Sequence, residues 1–368
     1  MREILDPVEP KDIRPLFQTV LHQMQKSGAL KRYKFHEGAY LISVDGTEYY
    51  SSKQVHCDQC LERKKRNGDE DDVTYYHQTL GAVIVHPDKK QVLPLAPEAI
   101  VKQDGDNKND CERNAATRLL EQVRRENPNK KFIVVEDALY SNAPHIRLLK
   151  RLRMSYIIGA KPADHEFLFE EVRKAFEEDH MSIVSWEDSE RPGVTCKIAF
   201  CNNLPLNKSN QDVRVNFLQY SEYDATGKRL KHFTWVTDVE ITEENAAKFV
   251  RAGRSRWKVE NETFNTLKNQ GYQFEHNFGH GKQNLSVVMS MLMMLAFLLD
   301  QIQEEGCPLF QAVLAKLGSR RSLWDHMRSH FRHFEFATMH HLYEVVLYDL
   351  ARELPAPQLH SHYGSRVT

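Results

Sequence analysis

The sequence predicts an α/β protein: a mixed sheet with flanking helices, a β-rich insertion and a helical C-terminal region. Three observations predict it. The runs AYLISVD (39–45), KFIVVED (131–137) and SYIIGAK (155–161) are short, apolar and β-branched, as buried strands are, and helix-period sequence separates the second from the third. Residues 182–239 change to short alternating runs, TCKIAFC, VRVNFLQYSEY and KHFTWVTDVE, the pattern of antiparallel strands. From 242 the apolar period is helical to about 352.

Taken in order, residues 1–36 read as a helical N-terminal segment, with Phe17, Val20, Leu21 and Met24 at helical spacing. The core begins at 37, and its first strand breaks at Gly46. HCDQC (56–60) and the charged stretch ERKKRNGDEDD (62–72) then form a solvated loop. VTYYHQTLGAVIVH (73–86) and QVLPLA (91–96) read as a hairpin around His86-Pro87-Asp88. Asn109 is the expected N-cap of the next helix, with Glu112 three residues on and Ala115, Ala116, Leu119, Leu120 and Val123 as its apolar stripe. Pro128 stops it. Helices follow at about 143–153 and 164–178, and the first part of the core closes at 181. The insertion spans 182–240, the next helices 241–305 and a C-terminal helical region 306–353, with a disordered tail at 354–368.

Composition sets limits. With 50 Lys+Arg against 51 Asp+Glu the net charge is −1, which excludes a uniformly basic coat but not a local phosphate-binding surface. An apolar share of 41% and a charged share of 27% exclude full disorder. Six cysteines with only one C-x-x-C are no disulfide framework, so a reducing cytoplasm is expected. MREILDPVEP lacks the apolar stretch of a signal peptide. Leu285–Leu299 is the most apolar run and falls short of the roughly 20 residues a membrane span needs. A Met-rich core helix is expected there.

Two of the buried-strand patterns end in a carboxylate, Asp45 and Asp137, at the sheet edge where ligand crevices form. One such Asp alone is ordinarily a cap or turn residue. A third acid comes from SRWKVENETFNTLK (255–268), where Arg256 and Glu260 stand one helical turn apart on one face. Glu262 competes with Glu260 but lacks an Arg one turn before it.

Asp45 in YLISVDGT, Asp137 in FIVVEDALYSN and Glu260 in RWKVE resemble the three acids of DDE-type insertion-sequence transposases of the cut-and-paste kind. Asp45 and Asp137 are 92 residues apart and Asp137 and Glu260 are 123, which leaves room for the β-rich insertion of that branch. The resemblance covers about 40–300. It implies a ribonuclease H-like core and phosphodiester hydrolysis at element ends, followed by strand transfer into target DNA. It also implies two Mg²⁺ ions, replaceable by Mn²⁺, with Asp45 bridging both and Asp137 and Glu260 each holding one. DNA ends and target DNA are the implied partners, the active complex a homodimer, and the site of action the bacterial cytoplasm at the nucleoid.

The family's signature around its Glu runs Tyr, two residues, Arg, three residues, Glu, six residues, Lys. Here Gly253 stands at the Tyr position, and Leu267 holds the Lys position with Lys268 following. One residue turns a helical side chain by about 100°, which leaves the role of Lys268 open. Arg254, Arg256, Lys258 and Lys268 are the expected DNA contacts near the acids. Arg251 joins the same basic stretch, and Arg147, Lys150, Arg151 and Arg153 flank the second Asp. Lys316, Arg320, Arg321, Arg328 and Arg332 make a third basic stretch, equally readable as a solvated face. Trp235, just before the Glu helix, is the candidate for assisting base flipping, with Trp186 second. A packed aromatic on a sheet face is the competing reading.

Cys57 and Cys60, with His56 and His77, look like half of a zinc site, the alternative being two isolated thiols in a loop. No H-E-x-x-H, G-x-x-x-x-G-K-[ST] or G-x-G-x-x-G occurs, so neither a metalloprotease nor a nucleotide cofactor is expected. The expected function is therefore metal-dependent DNA transposition. A related nuclease that cuts without rejoining is the second reading. A shortened, catalytically silent DNA-binding relative is the third, suggested by an abrupt start where the family usually carries an end-binding segment.

Overall fold

Five consecutive buried residues, Tyr40 to Val44, leave this stretch no exposed face, so it must lie inside a sheet. The computed structural model, which describes residues 2–67, 70–102 and 111–350, places it there. Helices α1 (Arg2–Leu5) and α2 (Pro10–Lys26) precede it, and α2 buries Ile13, Phe17, Leu21 and Met24. Strand β1 is Tyr40–Ser52, β2 Leu61–Asn67, β3 Glu70–Val85, β4 Leu93–Pro94 and β5 Glu98–Ile100. β3 runs antiparallel to β1 and also pairs with β2, β4 and β5. The expected hairpin around His86 is thus present. The described residues of the expected charged loop at 62–72 are instead strand, in β2 and the start of β3.

Helix α3 (Glu112–Glu126) buries the five apolar residues of its stripe. Its expected cap, Asn109, lies outside the described residues, as does the 354–368 tail. Strand β6 (Phe132–Glu136), helix α4 (Ala143–Arg151), strand β7 (Ser155–Gly159) and helix α5 (Glu166–Glu177) complete the crossover pattern, with β1, β6 and β7 parallel neighbours.

The insertion is β8 (Ser182–Glu187), β9 (Thr195–Pro205), β10 (Arg214–Tyr223) and β11 (Arg229–Thr237), an antiparallel set. It does not form a separate layer. β11 pairs with β7, so one sheet runs β2-β3-β1-β6-β7-β11-β10-β9-β8. This is the mixed sheet of a ribonuclease H-like core with the insertion extending one edge.

Helix α6 (Glu243–Arg254) leads to a π-helical turn, Val259–Phe264, and then α7 (Asn265–Asn269). A loop over 271–284 separates these from α8 (Leu285–Gly306). α8 is long and apolar enough by composition to cross a membrane, but more than half of it is buried, packed on α2 and β4. It is the core helix expected from its sequence. Helices α9 (Pro308–Leu317), α10 (Arg320–His333) and α11 (Met339–Tyr348) close a smaller apolar cluster of their own around Phe310, Val313, Leu323 and Leu342.

Candidate active site

The parallel register of β1 and β6 pairs Tyr40 with Phe132 and Ser43 with Val135, a constant offset of 92. That offset equals the separation of Asp45 from Asp137. Carried two residues past the last β1–β6 pair, it sets both acids level: Asp137 just beyond the end of β6, and Asp45 inside β1, which does not break at Gly46 as expected but runs on to Ser52 paired with β3. Asp137 also accepts from the Leu139 N–H at 2.9 Å and so starts a short 3-10 turn.

Glu260 approaches these acids through the π-helical turn. Gly81 on β3 faces Asp45 in register, and a Cβ there would stand 2.8 Å from the Phe264 ring. The missing side chain lets the turn pack directly on the sheet. Ser43 Oγ donates to the Arg256 carbonyl at 2.9 Å and pins the segment to β1. The Arg256 guanidinium then donates to Asp45 at 2.9 Å and stands 3.9 Å from Glu260, so it bridges two of the three acids. Glu262 lies on the other side of the turn, in a groove with Asp88, Lys90 and Lys258.

The structure adds a fourth carboxylate. Glu112 opens α3, and its side chain lies against Gly46, the residue after Asp45. The Tyr140 hydroxyl donates to it at 2.7 Å. Burial, with the charges of Asp45, Asp137 and Glu136 behind it, holds the Glu112 carboxyl above its ordinary range, although the Tyr140 bond opposes this. Asp45 is also raised, first by burial and then by Asp137, against the opposing pull of Arg256 and the Gly46 N–H. Next to them, buried Glu136 pairs with His145 at 2.7 Å, while its other oxygen has no hydrogen-bond partner among the described residues. Oxygen-only donors, mutually repelling and short of protons to share, fit a hard divalent cation such as Mg²⁺. In sequence, Glu112 reads as a helix-capping residue, which hides its place beside the acids.

The expected DNA contacts divide. Arg254 is exposed, its guanidinium 5.6 Å from the Phe233 ring centre. Arg256 is committed to the acids. Lys258 is only 6% exposed and donates to the carbonyls of His86 and Pro87, at 2.7 and 3.3 Å, and to that of Lys89. It pins the β3–β4 turn rather than facing solvent. Trp235 is 5% exposed, packed over Gly253. The competing reading of a packed aromatic describes it, while Trp186 and the unanticipated Trp257 present open faces. The flanking basic residues are largely neutralised locally: Arg147 by Asp212, Arg151 by Glu121 and Arg251 by Asp88.

Lys268 is held against β1 rather than turned to solvent. Its Nζ donates to the Glu48 carbonyl on β1 at 2.8 Å and to Glu275 at 2.9 Å, whereas Leu267 is buried in the core. The π-helical turn explains this. Its wider winding takes up one extra residue between Glu260 and Lys268 and offsets the one-residue displacement.

Residues 36–298 match the family model described as Transposase DDE domain. No curated protein matches the chain. The match spans most of the chain and contains β1, β6 and the helical turn that carry the three acids, so the chain belongs to the DDE transposase family.

Proposed function

We propose that this chain cuts DNA at the ends of a mobile element and joins those ends to target DNA, using Asp45, Asp137 and Glu260 as its metal-holding acids. The observation that carries the reading is the convergence of the three. Two are level on adjacent parallel strands, and the third is tied to Asp45 through Arg256. When bound, the divalent cations would supply an activated nucleophile and stabilise the leaving oxygen. Mg²⁺ is the ion this oxygen donor set favours.

The chain's own residues do the rest. Asp45, Asp137 and Glu260 would hold the cations. Glu112, seated behind Asp45 and bonded to Tyr140, adds negative charge that raises cation affinity. Arg256 donates to Asp45 and partly neutralises it. Arg254, Trp257 and Lys90 line an open groove beside the Glu260 turn, suited to backbone phosphates and a base face. Lys268 orients β1 beside the acids through the Glu48 carbonyl.

A supercoiled plasmid carrying the element's ends tests this. Asp45→Asn should abolish cleavage and joining and leave DNA binding intact or stronger, because it removes a metal ligand and one negative charge. Cleavage near the wild-type rate would overturn the assignment. Cleavage without joining in the wild type would instead favour the nuclease reading.

A further inference from the structure

Four metal-type ligands from three distant parts of the chain meet beside, but outside, the acidic crevice. Cys57 and Cys60 lie in the loop between β1 and β2, His77 on β3, and His280 in the loop before α8. Their ligand atoms all fall within 4.8 Å of one another. The two sulfurs are 3.7 Å apart. His77 Nε2 is 3.3 Å from Cys57 Sγ and 3.4 Å from Cys60 Sγ. His280 Nδ1 is 3.7 Å from Cys60 Sγ and 3.2 Å from His77 Nε2.

These distances can be compared with a tetrahedron. With Zn–S of about 2.3 Å and Zn–N of about 2.05 Å, the edges should be about 3.8 Å for S–S, about 3.6 Å for S–N and about 3.3 Å for N–N. All five distances lie within about 0.3 Å of those edges. A disulfide is excluded in this geometry, because its sulfurs would be about 2.05 Å apart. Five of the six edges are thus met, and the sixth, Cys57 to His280, lies within 4.8 Å.

We propose that Cys57, Cys60, His77 and His280 form a closed structural zinc site that clamps the loop following the Glu260 segment onto the paired strands β1 and β3. Two thiolates and two imidazoles select zinc over the hard cations of the acidic site. Four protein ligands leave no open position, so the ion is structural and does not take part in phosphoryl chemistry. Rings pack around the ligands: Tyr49 stacks on His77 at 5.8 Å and Tyr50 meets His280 edge-on at 4.3 Å. His56, the histidine closest in sequence, is not a ligand. It stacks on Tyr75 at 4.0 Å. The clamp is placed to matter, since the same loop holds Glu275, the partner of Lys268.

Metal analysis of the full chain, purified without chelator and dialysed against excess Mg²⁺, should find one zinc per chain. Replacing the zinc with Co²⁺ should give a thiolate-to-cobalt charge-transfer band and strong tetrahedral visible bands. Cys60→Ser should abolish both signals. His280→Ala should weaken zinc binding by 10-fold or more, the order of loss that follows disruption of a metal site's supporting groups. His56→Ala should leave it unchanged. Zinc should also protect Cys57 and Cys60 of the unaltered chain from alkylation, a measurement that needs no variant to fold. The proposal is overturned if zinc-loaded wild type retains no metal, if a Cys57–Cys60 disulfide is found in the freshly isolated protein, or if His280→Ala binds as tightly as wild type.

Discussion

The Trp235 indole lies directly against Gly253: a Cβ on that glycine would stand 2.6 Å from the ring. The position where the family signature carries a tyrosine is therefore closed here by a tryptophan arriving from β11. Gly253→Ala should destabilise the chain by about 1–3 kcal/mol through overpacking, and Gly253→Tyr by more. Combining Gly253→Ala with Trp235→Phe should recover part of the loss. Urea unfolding of these variants and of Trp235→Phe alone checks this. Additive effects would show that the two residues are not coupled.

Glu260 and Glu262 are separated by the direction in which each faces. Glu260→Gln should lower cleavage by at least 10³-fold, on the order of 4 kcal/mol of barrier. Glu262→Gln, which removes a charge from the neighbouring groove, should stay within about threefold of wild type, under about 1 kcal/mol. Single-turnover cleavage rates distinguish them. Equal losses would move the third acid away from position 260.

Arg256 is expected to behave as a counter-ion rather than as a phosphate contact. Its charge opposes the burial that raises the Asp45 carboxyl. Arg256→Ala should therefore raise that carboxyl further, so that Mg²⁺ binding sets in at higher pH than in wild type. At pH values where Asp45 is ionised in both proteins, the variant should bind Mg²⁺ more tightly, because a competing cation has gone. Calorimetric titrations across pH report both shifts. The salt slope of DNA binding should change by less than one unit, the value that loss of a phosphate contact would give.

Asp300 on α8 supplies a pH dependence of stability. Burial pushes its carboxyl up to about 6, although the Tyr272 hydroxyl donates to it at 2.5 Å. A carboxyl raised in the fold favours the folded state fully below its unfolded value of 3.8, and that contribution is lost as pH rises through about 6. Asp300→Asn keeps the acceptor for Tyr272 and removes the charge. Relative to wild type, the variant should gain about 2–3 kcal/mol between about pH 4 and about pH 7. Denaturant titrations at the two pH values measure this. A constant difference would assign the pH dependence to other groups.

Much of the fold was legible because burial leaves a periodic mark on the sequence. The runs at 39–45, 131–137 and 155–161 could only be interior strands, and α3 shows its apolar stripe in order. The DDE family was legible for the same reason: its acids follow fixed local patterns, two at the ends of apolar runs and one a helical turn after an arginine. The common value of 92 shows how sequence spacing and strand register can coincide without either implying the other.

What tertiary structure decided were the relationships between distant residues. Whether 182–240 extends the sheet or stands apart depends on the pairing of β11 with β7, which no local pattern encodes. Lys258 and Trp235 have the composition of DNA contacts, yet the fold covers both, because it needed a pin for the β3–β4 turn and a filler over Gly253. Lys268 is one residue off the expected position by sequence count, yet it reaches the Glu48 carbonyl on β1, since a π-helical turn changes the winding without changing the residue types. His280 and Glu112 sit in a loop and at a helix start, where no periodicity marks them. They acquire a chemical setting only when the chain brings them, from 203 and 67 residues away, to His77 and Asp45. Local sequence encodes which faces avoid water, whereas a site built from several segments exists only once those faces have packed.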